Sequence, residues 1–276
     1  MSRKNRKRIH TISLREQIKQ APWLFAVYVF LRISVVGVMI AQIFNRDWQN
    51  VAMCVLTLFL FTIPSFIERN WHIDIPNTLE VIILLFIYAA EILGEIRAFY
   101  VSVPGWDTAL HTINGFLAAA VGFSLVDIVN RNEHTKFYLS PVYVAIGAFC
   151  FSMTIGVLWE FFEFSADMLL GLDMQKDTVV HSIHSVLLNE VMNNRPVSIT
   201  GITETAVNGI ELGLGGYLDI GLIDTMKDLF VNFIGAVVFS FIGFFYLRGR
   251  GNGTFAKRFI PSLMKKREEL EKAEKR

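Results

Sequence analysis

Two cysteines in 276 residues are too few for a disulfide framework, and both, Cys54 and Cys150, fall inside apolar runs. Small buried hydrophobes explain them better than a disulfide or a metal pair. Charge is scarce as well: 18% of the chain is charged against 53% hydrophobic, with 24 Phe and a mean hydropathy of +0.44. A soluble domain has no use for that much apolar surface. Several nearly uncharged windows exceed about 18 residues, the length at which a helix crosses the hydrocarbon core of a bilayer. The sequence also lacks a phosphatase or transferase signature, a serine in a motif with a histidine, and an inverted repeat. No small-x-small cleavage site follows the first apolar run, so that run reads as a retained span rather than a signal peptide.

What is present predicts an all-α, polytopic transmembrane bundle of about six spans, near 22–44, 51–67, 78–96, 107–129, 140–170 and 224–247. The six-span domain, 22–247, lies between a basic tail (1–21) and a charged tail (248–276) that should form a short exposed helix. Pro64 should kink or end the second span, and Pro104-Gly105 marks a turn. Arg32, deep in the first span, either snorkels or meets a carboxylate from another helix. One long loop interrupts the bundle, 171–223. Apolar residues at 180, 183, 187 and 191 give 177–191 the spacing of an amphipathic interfacial helix. The glycine-rich 197–223 reads equally as loop, hairpin or re-entrant segment.

Lys and Arg set the orientation. With six spans both termini share a side, which collects 20 of the 26 basic residues, against four on the other side and two (Arg32, Lys227) within spans. The bias places the termini in the cytoplasm and the protein in a cytoplasmic (inner) membrane. The basic N-terminal tail is then a flank for anionic lipid, not a nucleic-acid site.

This orientation brings scattered polar residues to one depth. Glu160, Glu163 and Asp167 stand at i, i+3 and i+7 within the fifth span, one face of a helix. Glu91 and Glu95 end the third span outside, and Asp107, His111 and Asn114 open the fourth from the same side. Asp224, Asp228 and Asn232 open the sixth. Glu91 and Glu95 equally mark an interface, and Asp107 and Asp224 serve equally as helix caps. Glu160, Glu163, His111 and Asp228 lie at least one turn inside, where a charge must pair or coordinate something; a closed hydrogen-bonded network is the competing explanation.

The series Asp107-x3-His111-x3-Gly115-Phe116, Trp159-Glu160-x2-Glu163 and Asp224-Thr225-x2-Asp228-Leu229 with Asn232 and Gly235-Ala236 resembles the VanZ-like and YjdF-like bacterial membrane proteins over about residues 100–245. The resemblance implies a cell-envelope protein. VanZ-like members are associated with low-level teicoplanin resistance, and YjdF-like members have no settled activity. The 171–223 insert departs from the short connection expected of compact members.

Three functions compete. In the first, Glu160, Asp228 and His111 ligate a divalent ion (Mg²⁺, Mn²⁺ or Zn²⁺), with Glu163 or Asp107 as general base, at a site for a lipid or lipid-linked phosphate headgroup. In the second, the same acids serve a cation- or proton-coupled transporter, although they gather at one face. In the third, the protein is a non-enzymatic envelope or resistance factor working through the external loop. There Asp177, His181 and His184 form an i, i+4, i+7 set that could take a metal, though such a pair on an interfacial helix is more often solvated.

Overall fold

The computed structural model describes residues 22–71, 73–130, 138–191, 193–249 and 254–263. The basic tail (1–21), the connection carrying Arg131, Glu133, His134 and Lys136, residues 250–253 and the tail beyond 263 lie outside the described residues. In its described part, the segment after Arg248 holds a short 3₁₀ turn (Ala256–Arg258) and a two-residue strand; the mixed-charge end, 264–276, on which the expected exposed helix falls, lies outside the described residues.

Helix α1 (Pro22–Phe44) is followed by α2 (Trp48–Leu60), whose N-cap Asp47 accepts the Asn50 N–H at 3.1 Å. Pro64 accounts for the interruption that follows. Its ring offers no N–H to the Leu60 carbonyl and crowds it, so the chain turns at Phe61-Thr62 and resumes as α3 (Ile63–Trp71). Arg32 feels the charge of Glu80, a carboxylate from another helix, but its direct bonds lie elsewhere. Its guanidinium donates to the Phe61 carbonyl at 3.0 Å and packs over the Tyr28 and Phe61 rings, 4.6 and 5.5 Å from their centroids. It thereby caps the end of α2, where the break leaves a carbonyl without its helical partner.

Strand β1 (Ile73–Asp74) leads into α4 (Asn77–Tyr88), which widens into a π-helical segment, Ala89–Ile96. After the short α5 (Phe99–Ser102) come α6 (Trp106–Asn130), α7 (Pro141–Leu170) and α8 (Leu222–Arg248). Pro141 opens α7 at a first-turn position, and Gly171, at φ +67°, closes it in the left-handed conformation glycine favours. Among the described residues, five helical stretches are long and apolar enough to cross a membrane: 22–44, 48–70 (α2 and α3 together), 106–130, 141–170 and 222–248. The expected sixth traverse, Asn77–Ile96, is present as a helix in two geometries, carrying Glu80, Glu91 and Glu95.

Side-chain contacts show which ends share a face. The Tyr28 hydroxyl near the start of α1 donates to Glu80 at the start of α4 and lies 3.4 Å from Ser65 Oγ in α3. Strand β8 (Ser262–Leu263), beyond α8, pairs antiparallel with β1 on that side. At the other end, the Trp106 indole donates to the Ala89 carbonyl at 3.3 Å.

Helices α6, α7 and α8 form the core, with Ala119, Ala120, Phe123, Val144, Ala148, Ala236 and Phe239 buried between them. Small residues let the backbones meet, as in other membrane bundles. A Cβ on Gly115 would stand 2.1 Å from the Asn232 carbonyl oxygen, and one on Gly235 2.1 Å from that of Thr112. A second cluster (Leu31, Val35, Cys54, Phe61, Leu84, Ile92) joins α1, α2 and α4. Cys54 is buried as expected; Cys150 lies on the exposed side of α7, and both are free thiols.

The 171–223 region forms a small β-rich lobe instead of an interfacial helix. Val179–Val180 (β2) pairs with Tyr217–Leu218 (β7), and Ser182–Ser185 (β3) with Val197–Thr200 (β4). Ala206–Val207 (β5) and Ile210–Glu211 (β6) form a hairpin across Asn208-Gly209, both at positive φ (53° and 80°), the two-residue turn that Asn-Gly favours. The segment 179–186 is rich in β-branched residues, and distant strands supply its backbone partners, so an apolar spacing near three to four residues did not make a helix.

Candidate functional site

Four helix ends converge at the face opposite β1 and β8. His111 is the hub: it stands on the second turn of α6, and its ring is sandwiched between α7 and α8. Its Nε2 lies 3.5 Å from Asp107 Oδ1, one turn earlier on α6, and 3.8 Å from Asp228 Oδ2 on α8. Its Nδ1 lies 3.9 Å from Glu160 Oε1 on α7. Glu160, Glu163 and Asp228 are only 4, 7 and 3% exposed. Two donor groups result, Asp107–His111–Asp228 and His111–Glu160–Glu163, each with its ligating atoms within 4.8 Å of one another. One imidazole is thus shared by four carboxylates in a largely dehydrated place. That excess of negative charge calls for a cation or for protons.

The individual carboxylates are not equivalent. Glu163 accepts the Trp159 indole N–H at 2.7 Å. Glu160 Oε2 is buried without a hydrogen-bond partner; Thr225 and Gln175 approach this carboxylate, yet bond to one another at 2.5 Å. Such an orphan acceptor is costly unless something fills the space before it.

Other residues expected at the site have different work. Asp167, two turns past Glu160, accepts the Met174 and Gln175 amides at 2.6 and 2.8 Å, and Asp224 accepts that of Lys176 at 2.8 Å. Both carboxylates therefore tie the strap 171–176 down across the ends of α7 and α8. Asn114 donates to Asn232 at 3.3 Å, and Asn232 in turn to the Ser152 carbonyl at 3.4 Å. This pair joins the three core helices one turn below His111. Glu91 and Glu95, on the π segment, belong to neither donor group. In the lobe, the His181 and His184 rings are engaged with the Ile202 carbonyl (3.0 Å) and Ser198 hydroxyl (2.7 Å). With no helix there, the Asp177–His181–His184 set does not form, and no such group occurs among the described residues.

Two participants escaped the sequence reading: Gln175 and Lys176 are loop residues without a motif, and Thr225, though part of the Asp224-Thr225 motif, had no role of its own. At the far end of the bundle Glu80, 5% exposed, is a buried acid that no motif marks. Lobe electrostatics are set beside the strap. Asp177 is held above the ordinary carboxylate range by burial and then by Asp173, Asp219 and Asp167. Burial pushes Asp219 the same way, but the Thr178, Ile223 and Gly221 amides outweigh it and hold Asp219 below that range.

Comparison with known proteins gives a family. An uncharacterised protein of Thermotoga maritima is 24% identical over 131 residues, covering 45% of this chain and 64% of that relative's length. No solved structure matches. The family whose model matches residues 26–249 is described as a predicted membrane protein family, DUF2238. The VanZ-like and YjdF-like likeness stays a resemblance. The match covers every membrane-length helix and the whole polar centre, and the chain is a member of the DUF2238 family of integral membrane proteins.

Proposed function

We propose that the polar centre holds a divalent cation and presents it to a phosphate-bearing headgroup at the outer side of a cytoplasmic membrane. Asp107, His111 and Asp228 would be the ligands, with His111 using Nε2. Donor atoms around one Mg²⁺ or Zn²⁺ stand about 3–3.4 Å apart, so the 3.5 and 3.8 Å separations need close only slightly. Glu160, facing Nδ1, would take the N–H of the ligating imidazole and fix its tautomer. Glu163, held by Trp159, is the acid left over for proton transfer. A bound cation would supply positive charge for a phosphate oxygen. The excess of Lys and Arg in the segments that flank the spans on one side of the sequence topology supports cytoplasmic termini.

The observation that carries this reading is the buried, partnerless Glu160 Oε2 beside an imidazole ringed by carboxylates. The test is metal content and Mn²⁺ affinity of the purified protein, Asp228→Asn and Glu160→Gln. Asp228→Asn should abolish binding, and Glu160→Gln should weaken it about 10–100-fold, with melting temperature recording fold in each. A wild-type protein that takes up no divalent ion, or variants that bind as tightly as it does, removes the proposal. One observation favours a coupled transporter instead: buried Glu80, with Tyr28 and Arg32, lies at the far end of the helix that bears Glu91 and Glu95. Solute-dependent proton or cation flux in vesicles, lost in Glu80→Gln, would decide for it.

A further inference from the structure

The centre is roofed on its aqueous side. The strap 171–176 is tied to α7 through Asp167 and to α8 through Asp224, and the Gln175 side chain, 9% exposed, lies over Thr225 and Glu160. The side between α6 and α7 is different. A groove of about 240 Å³ opens there, lined by Asn114, Ile155, Leu158 and Trp159. Its walls adjoin the centre on both helices. Asn114 is one turn from His111, roughly 4.5 Å along the axis, and Trp159 precedes Glu160. The Trp159 indole, at 2.7 Å, is the single hydrogen bond between the groove wall and Glu163. Both helices are of membrane length, so the groove opens from the bundle toward the bilayer. Tryptophan is the residue that marks where hydrocarbon gives way to headgroup.

We propose that this groove is the chain subsite of a membrane lipid whose phosphate headgroup reaches the centre sideways, between α6 and α7, with Trp159 at the boundary of chain and headgroup. The inference rests on the cation-centre reading and names its substrate class: an amphiphile carrying phosphate, not a water-soluble phosphate ester. Leu158 is 55% exposed and takes no part in the centre, so it can be enlarged without overpacking the core.

The experiment uses the full chain in phosphatidylcholine nanodiscs with or without phosphatidic acid. Mn²⁺ binding is followed by the free-ion paramagnetic resonance signal, with protein-free discs subtracted. Phosphatidic acid should tighten Mn²⁺ binding about tenfold, an ordinary coupling between two ligands; glycerol phosphate added to phosphatidylcholine discs should not. Leu158→Trp, which fills the groove, should lose the tightening, and Leu158→Ala, which leaves it open, should keep it. Absence of Mn²⁺ binding in every disc overturns the cation centre itself. Mn²⁺ binding that ignores phosphatidic acid, that responds equally to glycerol phosphate, or that keeps its lipid response in Leu158→Trp overturns lateral lipid entry and leaves the centre standing.

Discussion

Gly235→Ala tests how the packing of α6 on α8 sets the geometry of the site. The new Cβ would meet the Thr112 carbonyl oxygen at 2.1 Å and the Phe116 nitrogen at 2.8 Å. Both obstacles are backbone, so no rotamer change relieves them, and the helices must part by about 1 Å or more to restore ordinary contact. Overpacking of this kind costs about 1–3 kcal/mol, and a backbone clash belongs at the upper end. For a domain of this size that is roughly 5–10 °C in melting temperature. The same displacement acts on His111, which adjoins Thr112, and on Asp228 across the interface. Their 3.8 Å separation would widen, whereas ligands of one ion need about 3–3.4 Å. Mn²⁺ affinity should therefore fall at least tenfold, about 1.4 kcal/mol, although no ligand has been altered. Scanning fluorimetry in detergent and Mn²⁺ titration read the two effects. Gly37→Ala is the control, since a Cβ there meets nothing within 4 Å. A Gly235→Ala protein that melts and binds Mn²⁺ as the wild type does would refute the reasoning.

Arg32→Met removes the donor to the Phe61 carbonyl while keeping a long side chain; the orphaned carbonyl should cost about 1–3 kcal/mol, seen as a lower melting temperature, and an unchanged one would show that the α2–α3 break needs no cap. Asp219 prefers its charged form in the folded lobe, so its stabilisation is complete above the ordinary carboxylate value near 4 and disappears as pH falls below it. Hydrogen exchange at Thr178 and Ile223, whose amides it accepts at 2.7 Å, should accelerate in acid and, in Asp219→Ala, already at neutral pH. Asp177 has the opposite sign: folding raises its proton affinity, so it opposes the lobe's stability at neutral pH, and Asp177→Asn should slow exchange across β2 and β7.

The membrane helices were legible because the bilayer leaves the backbone little choice. Pro141 and Gly171 bound α7 in the sequence as they do in the structure. Depth was legible too, and it gathered Asp107, His111, Glu160, Glu163 and Asp228 into one place. What depth cannot supply is rotation about each helix axis and contact between helices. Asp167 shares a face with Glu160 on the helical wheel, yet beyond the bundle that face meets a strap instead of an imidazole. Asn114 and Asn232 have the look of ligands but bond to each other, because α6, α7 and α8 approach closely enough at Gly115, Gly156 and Gly235 to bring amides together. The π widening after Tyr88 has no cue in AAEILGEI. The lobe was misread for a general reason: a strand's partner can lie anywhere, and β3 found its own at Val197–Thr200.

The pairing of β1 with β8 is only two residues long, Ile73 with Leu263 and Asp74 with Ser262, but its place makes it a clasp. It fastens the corner between α3 and α4 to the chain leaving α8, so the early and late halves of the bundle are stitched together along one rim. Across the opposite rim, the indole of Trp106 on the Ala89 carbonyl is a lighter stitch. A bundle bound in this way opens like a book from its spine. Any parting of the halves is smallest at the clasp and largest at the opposite rim, where Trp106 meets Ala89.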